Sequence, residues 1–86
     1  MMRFVDLRGI EIPGYVIEMI PESICRENDI IPFAEQGGVL QVAIAFGDDE
    51  SLDLMQKLSF ILNREIGFAQ AWRDDIRAAI NRHFHQ

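Results

Sequence analysis

The sequence predicts an α+β domain: two short N-terminal helices, then a three-stranded mixed sheet, with further helices after the second and third strands. Three observations predict it. Pro13 and Pro21 punctuate the segment IPGYVIEMIPESICREN into two pieces too short for long helices. The run Val39 to Ala45, VLQVAIA, is almost wholly apolar and follows Gly37-Gly38, as expected of a strand entered through a hairpin. Between that run and a second β-like stretch lies a segment whose apolar residues recur at helical spacing.

Taken in order, proline is tolerated in the first turn of a helix and disrupts its interior, so the spacing predicts helices over about residues 14 to 19 and 21 to 28. A strand from about Ile30 to Glu35 follows. Pro32 lacks an N–H for the ladder, which sends this strand to a sheet edge, and Gln36-Gly37-Gly38 closes a tight turn. In the strand Val39 to Ala45, Leu40, Val42, Ile44 and Phe46 share one face; Val39, Gln41, Ala43 and Ala45 share the other. The bulky face packs, and the small face admits a close neighbour.

Ser51 to Leu62 carries Leu54, Met55, Leu58, Ile61 and Leu62 on one stripe, expected to be core, with Leu52 and Phe60 off it. Glu65 to Trp72 reads as the third strand, with Ile66, Phe68 and Trp72 facing one way and Gly67, Ala69 and Ala71 the other. The last helix is expected from about Asp74 to His85, turning Ile76, Ala79, Ile80, His83 and Phe84 inward. The order is therefore ααββαβα. A hairpin joins the first two strands antiparallel, and the intervening helix makes a parallel, right-handed crossover to the third. The most apolar strand, Val39 to Ala45, takes the middle, and the third strand is left to offer an open edge.

Composition narrows the function. Eighty-six residues suit one domain, residues 1–86, and 49% apolar with 26% charged residues matches ordinary folded domains rather than disordered ones. A net charge of -6, with a single lysine, Lys57, argues against nucleic acid as a partner, because phosphate binding needs clustered cations. The lone Cys25 cannot close an intramolecular disulfide, and no apolar run approaches the length of about 18 needed to span a membrane. MMRFVDLRG lacks the apolar core of a secretory signal. The expected location is cytoplasmic, without direct membrane insertion.

The stretch FGDDESLD packs four acids and a serine into eight positions. Asp48, Asp49, Glu50 and Ser51 sit where a helix must begin, and carboxylates there meet the positive end of the helix dipole. Asp74 and Asp75 repeat the arrangement. A calcium loop would want Gly at its sixth position and Glu at its twelfth, and an acid-base pair would need environments that drive two pKa values apart; neither pattern occurs. His83 and His85, two apart on a helix, point to different sides and make no metal pair. No phosphate loop, dinucleotide fingerprint or nucleophile elbow is present. The chain is expected to be no enzyme and to carry no cofactor, no catalytic residue and no metal.

IPGYVIEMIPESICRENDIIPF and GGVLQVAIAFGDDESLDLMQKLSFILNREIGFAQAWRDDIRAAINRHF together resemble the small N-terminal domain that precedes the motor of type II secretion and type IV pilus assembly ATPases. The likeness covers about residues 10 to 84. Its marks are the Ile-Pro helix starts, Ile31-Pro32-Phe33, the LQVAIA strand leading to an acidic helix start, and the closing Ile76, Ala79, Ile80 and Phe84. Two departures stand out: Gly47-Asp48-Asp49 where the family usually has Asp-Pro, and Asn63-Arg64 where it often has Gly.

The resemblance implies a non-catalytic adaptor that docks the motor to the cytoplasmic part of an inner-membrane platform protein, peripheral to that membrane through its partner. The alternative it implies is a regulatory domain for a cyclic dinucleotide such as cyclic di-GMP. The Arg-Leu-Gly motifs linked with that activity are matched only by Leu7-Arg8-Gly9 in a different order, so no ligand residue is assigned, although Arg73 and Arg77 have forks suited to phosphate. For the docking surface the expected residues are Leu52, Phe60, Phe68 and Gln70. The first two are left off the helical stripe and the others lie on the third strand.

Overall fold

The computed structural model describes residues 3–47 and 51–84, the side chains of Ser51 and Leu52 excepted. The expected cap at Asp48, Asp49 and Glu50 and the helix end at His85 lie outside the described residues. The elements are β1 (Arg3–Phe4), α1 (Gly14–Ile17), α2 (Glu22–Asn28), β2 (Ile30–Gln36), β3 (Val39–Ala45), α3 (Ser51–Leu62), β4 (Ile66–Ala71) and α4 (Arg73–His83). The α+β class and the mixed sheet match the sequence reading, but the sheet has four strands in the order β1-β4-β3-β2. The expected three strands and the order ααββαβα are corrected by β1, which pairs parallel to β4. A two-residue strand is too short to show any periodicity, so only the backbone pairing reveals it.

Both N-terminal helices start as the prolines dictate. Pro13 and Pro21 occupy the cap position just before each helix, at ψ 144°, and their carbonyls accept the first free N–H groups, those of Val16 and Ile17, and of Ile24 and Cys25. At the end of α2, Asp29 adopts a left-handed conformation, φ 52°. That conformation is more accessible to Asp than to most residues other than glycine. The β2–β3 hairpin turns through Gly37 and Gly38 at φ 59° and 83°, the paired positive values that match strand twist. Pro32 lies in the edge strand β2, buried, and the ladder register shifts just after it.

Four consecutive residues of β3, Val42 to Ala45, are buried, and since their side chains alternate, both faces of the strand are covered. The register places Leu40, Val42 and Ile44 beside Ile66, Phe68 and Gln70 on one face, and Gln41, Ala43 and Ala45 beside Gly67, Ala69 and Ala71 on the other. Met55, Gln56 and Ser59 of α3 line a depression together with Ile66 and Phe68 of β4. Helix α4 packs against β2, β3 and α2. The core joins Val16, Ile17 and Ile20 from the α1 region to Ile30, Ile31 and Leu40 of the hairpin and to Ile76, Ala79 and Ile80 of α4. Each of these Val, Leu and Ile side chains contributes about 1.5–3 kcal/mol when fully buried.

One stripe residue departs from expectation. Met55 and Leu58 are buried and Leu54 and Leu62 partly so, whereas Ile61 is 70% exposed. Ile61 instead lines the outer depression of α3 with Asp53, Gln56, Lys57 and Phe60, so the buried stripe is narrower than the helical spacing suggests. Trp72, expected to share a strand face with Ile66 and Phe68, falls one residue past β4 and is half-exposed at the N-terminus of α4. β4 is also not an open edge along its length: β1 occupies the edge beside Ala69 and Gln70, and the Val5 N–H donates to the Gln70 carbonyl at 2.8 Å.

Candidate functional site

Helix α3 carries apolar side chains both inward and outward. On its outer side Phe60 is 88% exposed and lies next to Ile61, over a shallow apolar depression completed by Asp53, Gln56 and Lys57. A second depression runs between α3 and β4, lined by Met55, Gln56, Ser59, Ile66 and Phe68. Gln56 borders both, with Phe60 lining the first and Phe68 the second. Gln70, the fourth expected residue, is not part of it: half-buried on β4, it pairs in register with Ile44 and Phe4. The side chain of Leu52 lies outside the described residues.

A second apolar surface is formed by residues the sequence reading did not single out. Phe4 at the end of β1, Phe46 just after β3 and Trp72 just after β4 form one half-exposed cluster at the carboxyl ends of the parallel strands. Their ring centroids are 5.2 Å (Phe4–Trp72), 5.4 Å (Phe46–Trp72) and 6.3 Å (Phe4–Phe46) apart, with tilted or edge-on geometry. The available signal was an aromatic residue one position beyond each of two parallel strands, which places both at the same end of the sheet.

The arginines are engaged within the domain. Asp29 receives Arg77 through two hydrogen bonds, at 3.0 and 3.2 Å, and Arg73 at 3.3 Å. The two arginine forks considered for phosphate are thus both committed to closing α4 onto the end of α2. Arg26 reaches Glu22 and Asn81, and Arg64 pairs with Glu35. Arg8 donates to Asp6 from its backbone and its guanidinium, and these bonds hold the Asp6 carboxyl down at about 2. Cys25 is buried, and desolvation pushes its thiol up to about 12. Such a thiol is not a nucleophile at neutral pH.

The last turn of α4 holds the segment before α1. Arg82 donates to the carbonyls of Leu7 and Ile10, at 3.2 and 3.4 Å, and the Ile12 N–H donates to His83 Nε2 at 3.2 Å. His83 Nδ1, 2.9 Å from the Ala79 carbonyl, therefore carries the ring proton. Sequence reasoning turned His83 inward on the last helix, and the structure adds this clamp. Among the described residues no group of three or more His, Cys, Asp or Glu side chains is placed to hold a metal ion, and no helix is long and apolar enough to cross a membrane.

Fold and site together define a small α+β domain with two exposed apolar surfaces. The comparisons place it within a family. The MshEN domain model matches residues 1–86, and the chain belongs to that family. Among solved structures it is similar to one described as "Structure of MshE with cdg", at 18% identity and a TM-score of 0.81, covering 96% of this chain and 59% of that one. The N-terminal domain of XpsE matches at 16% identity and a TM-score of 0.80, covering 96% and 57%. A further crystal form of that domain matches at 20% identity and a TM-score of 0.75. MshE and XpsE are type II secretion and type IV pilus ATPases, so the resemblance read from the sequence is borne out. At these identities the likeness concerns the fold, and it relates the chain to the N-terminal region of such ATPases rather than to their catalytic part. The chain spans less than two thirds of the matched chains. No curated protein matches it.

Proposed function

We propose that this domain is a non-catalytic docking module of a type II secretion or type IV pilus assembly motor, binding the cytoplasmic part of an inner-membrane platform protein. The observation that carries the reading is the outer face of α3, where Phe60 and Ile61 stand 88% and 70% exposed in a domain whose core is already filled without them. Side chains of that size in an exposed patch suit a protein partner, aromatic residues being frequent binding hot spots. Phe68 extends this surface into the α3–β4 depression, and Leu52 is proposed to extend it at the other end. Gln70 belongs with the β4 edge. The test is capture of the chain on the immobilised cytoplasmic part of the platform: Phe60→Asp loses capture while its circular dichroism stays native. Undiminished capture by that variant rejects this surface.

A second reading, binding of a cyclic dinucleotide such as cyclic di-GMP, is supported by the likeness to the MshE structure described with cdg. In this chain Arg73 and Arg77 are already held by Asp29, and Arg8 by Asp6, which leaves those forks committed. Titration calorimetry distinguishes the readings, since heat at micromolar cyclic di-GMP favours the second, and none at high micromolar ligand removes it.

A further inference from the structure

Three half-exposed rings, Phe4, Phe46 and Trp72, gather at the carboxyl end of the parallel strands β1, β3 and β4. None lies flat on another: Phe4 meets Phe46 at 63° and Trp72 at 65°, and Phe46 meets Trp72 at 51°. No ring face is therefore covered by a parallel ring, and the core is filled without them. The patch is separate from the outer face of α3. Because β3 and β4 are parallel, that helix runs back along the sheet from Ser51, and Phe60 lies about 14 Å further along it.

Charge selects among occupants of this patch. The start of a helix ordinarily suits an anion, but the first turn of α4 already carries Asp74, exposed, and Asp75, directly after Trp72. The sequence beside Phe46 adds Asp48, Asp49 and Glu50. The neighbouring cations are engaged elsewhere. Arg73 and Arg77 both hold Asp29, Arg8 holds Asp6, and Arg3 turns to the opposite face, onto Gln41. Asp75 and Asp74 act on Arg8 and Arg77 only at longer range. An apolar patch with this surround repels phosphate, nucleic acid and the anionic headgroups of a membrane surface. At a net charge of -6 it also repels a second copy of the chain. What fits is a cation with a planar, weakly hydrated head. Arginine has one: its guanidinium stacks on aromatic faces while its N–H groups bond carboxylates.

We infer that the Phe4–Phe46–Trp72 cluster is a second docking surface, for a basic segment of a partner protein that lays an arginine side chain on the rings and pairs it with Asp74. It goes beyond the α3 surface proposed above and does not depend on it.

Trp72 is the single tryptophan, so its emission reports on the patch. The probe is an acetylated hexa-arginine peptide titrated into the full chain at low salt, with hexa-lysine and hexa-glutamate peptides alongside. Hexa-arginine shifts the emission to saturation and binds about fivefold more tightly than hexa-lysine, and hexa-glutamate has no effect. By calorimetry, Phe46→Ser and Asp74→Asn each weaken hexa-arginine about fivefold with native circular dichroism, whereas Phe60→Asp leaves it unchanged. No emission shift overturns the inference, and so does equal affinity for hexa-lysine. Undiminished binding in Phe46→Ser also overturns it, leaving only attraction to the net charge. Emission that responds instead to phosphatidylglycerol vesicles, or to concentrating the chain alone, overturns it in favour of a lipid surface or a second copy. Because Phe60→Asp tests the platform surface and Phe46→Ser this one, each reading can fail alone.

Discussion

Truncating Leu58 and Phe60 separately to alanine measures the two faces of α3 against each other. Leu58 is 2% exposed and points into the core, and a buried Leu→Ala change costs about 3 kcal/mol through lost transfer energy and the cavity left behind. A chain of 86 residues has a total stability of roughly 4–13 kcal/mol, so this is a large share. At about 4–8 °C per kcal/mol for a domain of this size, the melting midpoint falls by roughly 12–24 °C. Phe60, two residues on, is 88% exposed. With about an eighth of its surface buried, the removed contact is worth roughly 0.3 kcal/mol on the 1.5–3 kcal/mol scale for full burial. Alanine's better helix propensity offsets even that. Urea titrations followed by circular dichroism read both, and an unchanged slope confirms that the two variants unfold from equally compact states. A loss above about 1 kcal/mol in Phe60→Ala, on the same burial scale, would refute the assignment of that ring to an outer surface.

Further outcomes follow from three individual groups. Cys25, with its thiol pushed up from 9.0 to about 12 by burial, resists iodoacetamide at pH 8 until the chain unfolds, and prompt alkylation of the native protein would contradict its placement. The same shift means that stability is undiminished below pH 9 and declines as the pH rises toward 12, because the unfolded thiol ionises first. Asp6, lowered from 3.8 to about 2 chiefly by the Arg8 side-chain hydrogen bond, stabilises its turn above pH 3.8 and loses that effect as the pH falls through about 2; a carboxyl carbon titrating at its ordinary value by NMR would remove the interaction. In Gly67→Ala the new Cβ would sit 2.9 Å from Gln41 Oε1, displacing the amide that Arg3 bonds, so hydrogen exchange of the Val5 amide quickens while the melting midpoint moves by only a few degrees. A Val5 rate equal to that of the parent chain would show that Arg3 does not help to hold β1.

Much of the architecture was legible because local chemistry and global fold agree. Pro13 and Pro21 mark the helix starts, and Gly37-Gly38 marks a turn where two positive φ values are needed in succession. The apolar run of β3 announces burial on both faces. Phe60 was legible for the opposite reason, being a large side chain left over once the stripe of α3 was assigned. Ile61 was misjudged because helical spacing identifies a direction and not the width of the surface that receives it. The aromatic cluster was hidden because Phe46 and Trp72 continue the alternation of their strands, and only the ends of β3 and β4 show that each lies beyond the covered part of the sheet.

The sequence by itself determined the elements, their order from α1 onward and the burial of β3, since these depend on side-chain period, proline and glycine within short windows. Only the tertiary structure decided that Arg3–Phe4 adds a fourth strand, that Arg82 and His83 grip the segment leading into α1, and that Asp29 gathers Arg73 and Arg77. Those contacts join residues dozens of positions apart. Their partners are selected by where the packed elements bring them, a matter of distance in space that no local pattern along the chain encodes.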